Sequence, residues 1–252
     1  MYTGYYKEYS YNLNREMEFK VYGHAGKRIL VFPAQDGRFF DYENFKMVET
    51  IQDHLENGTV QLFCVDSIDL ETFSANGDHG WRIGQFENYF RYICEELYPR
   101  IYQISYETSG LSRGDKVVTT GCSMGATHAM NFFCRRPDLF DGTMAMSGIY
   151  HAGFFFENYQ DGRVYENSPL DFLPNLAWDH YYKDLYRTSK IYVTIGQGRW
   201  EDECLEDTRK LNNVFLQLDI HNAIFDYWGY DVDHDWQWWR VQLRHVIEYF
   251  KD

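Results

Sequence analysis

The stretch VVTTGCSMGATHAMNFF (117–133) constrains the fold of this chain more than any other. A β-branched run predicts a strand, and the residues after Met124 have the composition of a helix. Between them Ser123 stands between Gly121 and Gly125, which suits a turn too tight for side chains at the flanking positions. Such a turn is either an ordinary strand-to-helix connection whose serine caps the helix, or a nucleophile elbow that exposes the serine hydroxyl. The strand and helix on its two sides favour the elbow.

Short apolar runs alternate with helix-like segments along the rest of the chain. Besides the strand before Ser123, the predicted strands are 27–34, 60–67, 141–150, 190–198 and 223–229, and the predicted helices are 43–58, 84–102, 203–218 and 235–250. Buried strands that alternate with helices predict an α/β fold, with a mainly parallel central sheet and helices on both faces. The alternation in 5–23 predicts antiparallel N-terminal strands, and 151–187 is an aromatic-rich insertion.

Composition limits the class of protein and of partner. The 252 residues are 44% hydrophobic and show no repeat or linker, which predicts a single α/β domain over 1–252. A net charge of −14 argues against a nucleic-acid or anionic-membrane partner. The N-terminus shows no signal peptide, and five scattered cysteines without CxxC spacing suit reduced thiols. We therefore expect a cytoplasmic protein with a small-molecule partner, and homo-oligomerisation stays open.

A serine nucleophile needs a base, and the base needs a carboxylate to orient it. Ligands of such sheets bind beyond the carboxyl ends of the strands, which directs attention to RWEDECLED (199–207) and YDVDHDWQWW (230–239). The resulting order of nucleophile, acid and histidine is that of α/β-hydrolases, with His234 as the base. Asp202 is the preferred acid and Glu201 the alternative, whereas Glu203 is assigned to the start of a helix.

The other eight histidines are weaker candidates for the base. His151 ends a predicted strand near the site and is the serious rival to His234, or a residue that lines the pocket. His128 falls one turn into the helix after the elbow, where we expect it to pack against the sheet. The remaining six lie in predicted loops or on helix faces, where solvated or structural roles are expected.

Four segments together resemble the putative-esterase family of α/β-hydrolases over nearly the whole chain. This family includes feruloyl and other carbohydrate esterases and S-formylglutathione hydrolases. The segments are VFPAQDGRFFDYENFKMV (31–48), TTGCSMGATHAMNFF (119–133), IGQGRWEDECLEDTRKL (195–211) and YWGYDVDHDWQWWRVQL (227–243). The most specific element is His-Asp-Trp with a second Trp three residues later (234–239).

The resemblance implies functional residues, an activity and the absence of a cofactor. It places the nucleophile on Ser123 and the base on His234. The oxyanion N–H groups fall on Met124 and Gln35, with Ala34 as a second choice for the latter. The family's acid follows a Gly-x-x-Asp turn, but this chain has the longer GQGRWED (196–202), so the acid is displaced. The resemblance also implies neither a metal nor an organic cofactor.

The expected function is hydrolysis of a carboxylic ester through an acyl-enzyme intermediate, with an aromatic acyl ester or a sugar ester as candidate substrates. A histidine base predicts activity that falls on the acid side of neutrality. Two alternatives stay open: a non-catalytic binding protein on the same scaffold, and an acyltransferase or thioesterase with the same triad. Trp200, Trp228 and Trp236 are either part of an acyl pocket or core residues.

Overall fold

The computed structural model describes residues 1–112 and 114–251 and contains one eight-stranded sheet. Its strands are β1 (Thr3–Ser10), β2 (Arg15–Tyr22), β3 (Lys27–Phe32), β4 (Val60–Val65), β5 (Val117–Cys122), β6 (Phe140–Met146), β7 (Lys190–Ile195) and β8 (Ala223–Tyr227). The strand order is β1-β2-β4-β3-β5-β6-β7-β8. Strands β3 to β8 pair in parallel, while β1–β2 and β2–β4 pair antiparallel. The predicted mainly parallel sheet with antiparallel N-terminal strands is confirmed.

The sheet reverses its winding between β3 and β5. Strand β4 lies on one side of β3, and β5, the next strand along the chain, lies on the other. The loops that leave β3 and β5 therefore diverge, and a crevice opens at the carboxyl ends of these two strands. The loop that contains Gln35 and the turn that contains Ser123 both start at this crevice.

Helices cover both faces, as predicted. They are α1 (Asp41–Asn44), α2 (Met47–Thr50), α3 (Gln52–Glu56), α4 (His79–Arg91), α5 (Tyr98–Ser109), α6 (Met124–Arg135), α7 (Gly162–Glu166), α8 (Pro169–Phe172), α9 (Tyr182–Thr188), α10 (Asp202–Gln217) and α11 (Trp236–Phe250). One core cluster packs α4, α5, α6 and α10 on one face of the sheet. The other packs α2, α3 and α11 on the opposite face.

Two predicted helices differ from the structure. The helix predicted over 43–58 is three short ones. The left-handed backbone of Lys46 (φ 62°) separates the first from the second, and Ile51 (φ −118°, ψ 24°) separates the second from the third. The helix predicted over 84–102 runs from α4 through a π-helical segment, Tyr92–Leu97, into α5. Pro99 is the second residue of α5 and has no N–H for a regular i to i−4 bond, which accounts for the wider turn before it.

The aromatic-rich insertion at 151–187 connects β6 to β7 and contains α7, α8 and most of α9. Arg82 of α4 holds its first part in place. The guanidinium donates to the carbonyl of Phe155 at 2.9 Å and lies over the ring of Phe156. This contact fixes the segment that precedes α7 against the end of the crevice.

Helix α6 is the most enclosed helix of the fold. Every residue from Met124 to Cys134 is buried between the sheet and the surrounding helices. The first turn of α6 is therefore held rigidly beneath the crevice. None of the helices in residues 1–112 and 114–251 has the length and apolar character needed to cross a bilayer.

Candidate active site

Ser123 occupies a strained turn between β5 and α6. Its φ of 56° and ψ of −123° lie in a region that side chains rarely adopt. A Cβ on Gly121 would lie 2.4 Å from the carbonyl carbon of Gly125, and a Cβ on Gly125 would lie 2.4 Å from the carbonyl oxygen of Phe32. The Ser123 side chain makes no capping bond to its helix. The turn therefore has the geometry of a nucleophile elbow rather than that of a capped helix start.

The serine hydroxyl, one imidazole and one carboxylate form a continuous hydrogen-bonded line. The Oγ of Ser123 lies 2.8 Å from Nε2 of His234, and Nδ1 of His234 lies 3.0 Å from Oε2 of Glu201. With the proton on Nδ1, the imidazole donates to the carboxylate and accepts from the hydroxyl. Three side chains that are far apart in sequence thus meet at the carboxyl ends of β5, β7 and β8, as the sheet rule predicts.

The carboxylate that contacts the histidine is Glu201, the alternative candidate, and not the preferred Asp202. Asp202 is exposed and begins α10, whereas Glu201 is 1% exposed and faces the imidazole. The longer loop after β7 places residue 201 at the crevice before the helix starts. Glu203 lies in the first turn of α10, as expected.

Ser147 and Trp239 hold the Glu201 carboxylate in place. The Oγ of Ser147 donates to Oε1 of Glu201 at 2.7 Å and accepts from Nε1 of Trp239 at 3.1 Å. The Trp239 ring also meets the His234 ring edge to face, with centroids 4.8 Å apart. Trp239 is the second tryptophan of the His-Asp-Trp motif, so this motif contains both His234 and a side chain that contacts His234 directly and Glu201 through Ser147. Sequence reasoning missed Ser147, whose only signal was its place after β6.

Hydrogen bonds join the loop after β7 to the loop that carries His234. The backbone N–H of His234 donates to the carbonyl of Arg199 at 3.0 Å, and that of Gly198 donates to the carbonyl of Val232 at 2.9 Å. The Arg199 guanidinium also forms two bonds with Asp233, at 3.0 and 2.7 Å. Gly198 and Arg199, which belong to the lengthened loop after β7, therefore stabilise the loop that contains His234.

A cleft of about 260 Å³ opens over Ser123. Met124 and Gln35, the residues predicted to donate oxyanion N–H groups, both line it. Phe154 and Phe155 of the insertion form its apolar wall, together with Trp200, which is 71% exposed.

The other two tryptophans proposed for an acyl pocket lie outside the cleft. The ring of Trp236 stacks on Phe45 with centroids 4.2 Å apart. The indole N–H of Trp228 donates to Asp226 at 2.9 Å. Of the three, only Trp200 is placed to touch a substrate at Ser123.

His151, the rival candidate for the base, does not contact the serine hydroxyl, and neither does His128. His151 lines two neighbouring cavities instead of the cleft over Ser123. His128 is 1% exposed, and its Nε2 lies 2.8 Å from Oδ1 of the equally buried Asp69. His128 thus packs inside the fold, as expected.

The family model described as "Putative esterase" matches residues 10–249. The chain belongs to this family. The esterase is accordingly a carboxylic ester hydrolase, an enzyme that cleaves ester bonds. No curated protein sequence matches the chain.

Solved structures that resemble the esterase share its whole architecture at low sequence identity. A ferulic acid esterase matches with a TM-score of 0.75 at 17% identity, over 99% of this chain and 98% of its own. The fluorophosphonate-binding serine hydrolase F of Staphylococcus aureus matches with a TM-score of 0.72 at 14% identity, over 100% and 98%. An S-formylglutathione hydrolase from Agrobacterium tumefaciens gives 0.70 at 13%, over 99% and 94%. The α/β-hydrolase fold of the esterase is confirmed.

Proposed function

We propose that the esterase hydrolyses small carboxylic esters through an acyl-enzyme intermediate, with Ser123 as nucleophile, His234 as base and Glu201 as the acid. The observation that carries this proposal is the line of two hydrogen bonds, 2.8 Å from Ser123 to His234 and 3.0 Å from His234 to Glu201. A serine hydroxyl within hydrogen-bond reach of an oriented imidazole is the arrangement that general-base catalysis requires.

His234 first accepts a proton and then donates it in each half of the reaction. As Ser123 Oγ attacks the acyl carbon, Nε2 of His234 takes the hydroxyl proton and then passes it to the departing alcohol oxygen. Water then attacks the acyl-enzyme by the same steps, with His234 again accepting the proton, and the carboxylic acid product is released. Glu201 keeps the imidazole in the Nδ1–H tautomer and stabilises the positive charge that forms on it.

The oxyanion of the tetrahedral intermediate is proposed to accept from the backbone N–H groups of Met124 and Gln35. Met124 begins α6, where the first N–H groups have no partner inside the helix and point toward the crevice. Gln35 follows β3 on the other side of the same crevice. Each such donor contributes about 3 kcal/mol to transition-state stabilisation in comparable sites.

The lining of the cleft favours an aromatic acyl group over a sugar as the part held beside Ser123. Ile149, Phe154 and Phe155 offer apolar surface, and the exposed Trp200 adds an aromatic ring to the same lining. Planar rings pack edge-to-face or offset against such side chains. We therefore place the acyl group against this wall and the alcohol toward the open mouth of the cleft.

A fluorophosphonate probe and a panel of esters test the assignment together. The probe should label the wild-type esterase on Ser123 and leave Ser123→Ala unlabelled, while circular dichroism shows both folded. The panel contains p-nitrophenyl esters of rising chain length, methyl ferulate, an acetylated sugar and an S-acyl thioester. Turnover that survives in Ser123→Ala would refute the nucleophile. Preference for the acetylated sugar over methyl ferulate would refute the acyl assignment.

A further inference from the structure

One thiol lines the cleft over Ser123 and has no part in the proposed chemistry. Cys204 lies in the first turn of α10, is 5% exposed, and shares the cleft wall with Ser123 and His234. The other four cysteines are buried elsewhere and do not line this cleft. Cys204 is therefore the cysteine placed at the wall of this cleft.

Cys204 lies beside two members of the hydrogen-bonded line. Its Sγ, a carboxylate oxygen of Glu201 and a ring nitrogen of His234 all lie within 4.8 Å of one another. Within residues 1–112 and 114–251, this is the one cluster of three or more such groups placed to share a metal ion. Thiolate, imidazole and carboxylate form a ligand set that Zn²⁺ favours.

The spacing is close to what zinc needs. Tetrahedral zinc, with bonds of about 2.0 to 2.3 Å, holds its ligand atoms about 3.3 to 3.7 Å apart. A largest separation of 4.8 Å leaves about 1.5 Å at most for side-chain adjustment. Cys204 and His234 both line the open cleft, which supplies a route of entry for the ion.

The surroundings already favour a cation. The Ser147 hydroxyl holds Oε1 of Glu201 and leaves Oε2 directed at the cluster. Besides Glu201, the carboxylates of Asp207 and Glu203 lie near the Cys204 sulfur. The same carboxylates attract a divalent ion, which displaces the thiol proton to solvent as the sulfur–metal bond forms.

We propose that Glu201, Cys204 and His234 form a binding site for a thiophilic divalent cation such as Zn²⁺, and that the bound ion switches the esterase off. The inhibition, unlike the binding of the ion, rests on the proposed function. If the ion binds Nδ1 of His234, the remaining ring proton lies on Nε2, which then has no lone pair for the serine proton. If it binds Nε2, that lone pair is already used. Either way Ser123 loses its base.

The test compares Cys204→Ser with Cys94→Ser, which alters a thiol of similar burial (8% exposed) in the π-helical segment. Zinc binding is measured by calorimetry, and Co²⁺ is used as a spectroscopic probe of a thiolate–metal bond. Inhibition of aryl acetate hydrolysis is measured against each variant's own metal-free rate, with Mg²⁺ as the cation that prefers oxygen ligands.

We expect wild type and Cys94→Ser to bind one Zn²⁺ tightly, to be inhibited reversibly by it and to ignore Mg²⁺. Cys204→Ser should bind Zn²⁺ and be inhibited at least tenfold more weakly, without the thiolate–cobalt band. Equal inhibition of the two variants overturns the site. A protein that hydrolyses esters but binds Zn²⁺ equally well with and without the Cys204 thiol also overturns the site. Cys204-dependent binding in a protein that hydrolyses no ester supports the metal site and contradicts the proposed function.

Discussion

Two neighbouring carboxylates at the start of α10 have opposite environments. Glu201 is almost fully buried and bonds to His234 and Ser147, while Asp202 is exposed and makes no hydrogen bond to the histidine in the described part of the chain. If Glu201 is the acid, the choice between the two follows from where the backbone enters the helix. Substitution can therefore separate them.

Glu201→Gln should lower kcat by about 10⁴-fold, because the amide no longer fixes the Nδ1–H tautomer or stabilises the imidazolium. Asp202→Asn removes a charge one residue away and should change kcat by no more than about twofold, as surface substitutions do. Steady-state hydrolysis of p-nitrophenyl acetate measures both. A larger loss in Asp202→Asn than in Glu201→Gln would restore Asp202 as the acid.

Ser147→Ala should lower kcat on the order of 10²-fold at unchanged KM, because Glu201 loses the hydroxyl that fixes its orientation. Trp239→Phe keeps the ring beside His234 but deletes the bond to Ser147, so it should produce a smaller fall in kcat. Ser105→Ala, which removes an equally buried hydroxyl in α5, provides the control for a general loss of stability. Parallel declines in Ser105→Ala and Ser147→Ala would argue against a positioning role.

The sequence indicated the contact between Ser123 and His234 more readily than the carboxylate that bonds to His234. Ser123 and His234 each lie in a motif that directly follows a predicted strand. Glu201 lies in a loop of unusual length, where a shift of one residue decides which carboxylate turns inward. Ser147 gave no local signal, because its side chain contacts Glu201, which is 54 positions later in the sequence, and Trp239, which is 92 positions later.

At the scale of elements, the turn before α6 is closed by backbone atoms of β3 and the residue after it. The space for a side chain at Gly125 is taken by the carbonyl oxygens of Phe32 and Pro33, which lie 2.4 and 2.6 Å from the point that a Cβ would occupy. Neither carbonyl is at the end of a flexible side chain, so relief requires the helix and the strand to separate. Ser123 would then lose its place beside His234.

Gly125→Ala should therefore lower both activity and stability, with a loss of roughly 1 to 3 kcal/mol in the free energy of unfolding. Gly162→Ala is the matched control, because a Cβ there meets nothing within 4 Å and the residue begins a short helix of the insertion. It should stay within about 0.5 kcal/mol of wild type. Denaturant titration measures both, and equal stability of the two variants would contradict the packing argument.

Strand positions followed from the sequence, whereas helix continuity did not. Apolar runs bounded by turn residues predicted all six parallel strands to within a few residues. The break at Lys46 and the π-helical segment before Pro99 arise from single backbone positions inside otherwise periodic stretches. Periodicity averages over such positions, which is why it predicted continuous helices there.

At the scale of the whole molecule, charge is expected to act on substrate approach. The net charge is −14, and Glu203 lines the cleft beside the nucleophile. An ester that carries a carboxylate is repelled over distances that salt shortens, from about 30 Å at 0.01 M to about 10 Å at 0.1 M.

The value of kcat/KM for an anionic ester should therefore rise with ionic strength over this range, while that for a neutral ester of the same size stays flat. Stopped-flow or steady-state rates at a series of NaCl concentrations make the comparison. If both esters respond equally to salt, the effect belongs to the enzyme's structure and long-range repulsion plays no part.

The enclosure of α6 also determines how the esterase can fail. A helix surrounded on every side by the sheet and its neighbours has no way to loosen alone, because each of its turns is held by packing that belongs to the rest of the molecule. Local fraying of α6 is therefore not expected to displace Ser123. Mild heat or denaturant would instead act first on the loops that contain Glu201 and His234, and separate these partners from a serine that is still held in its helix.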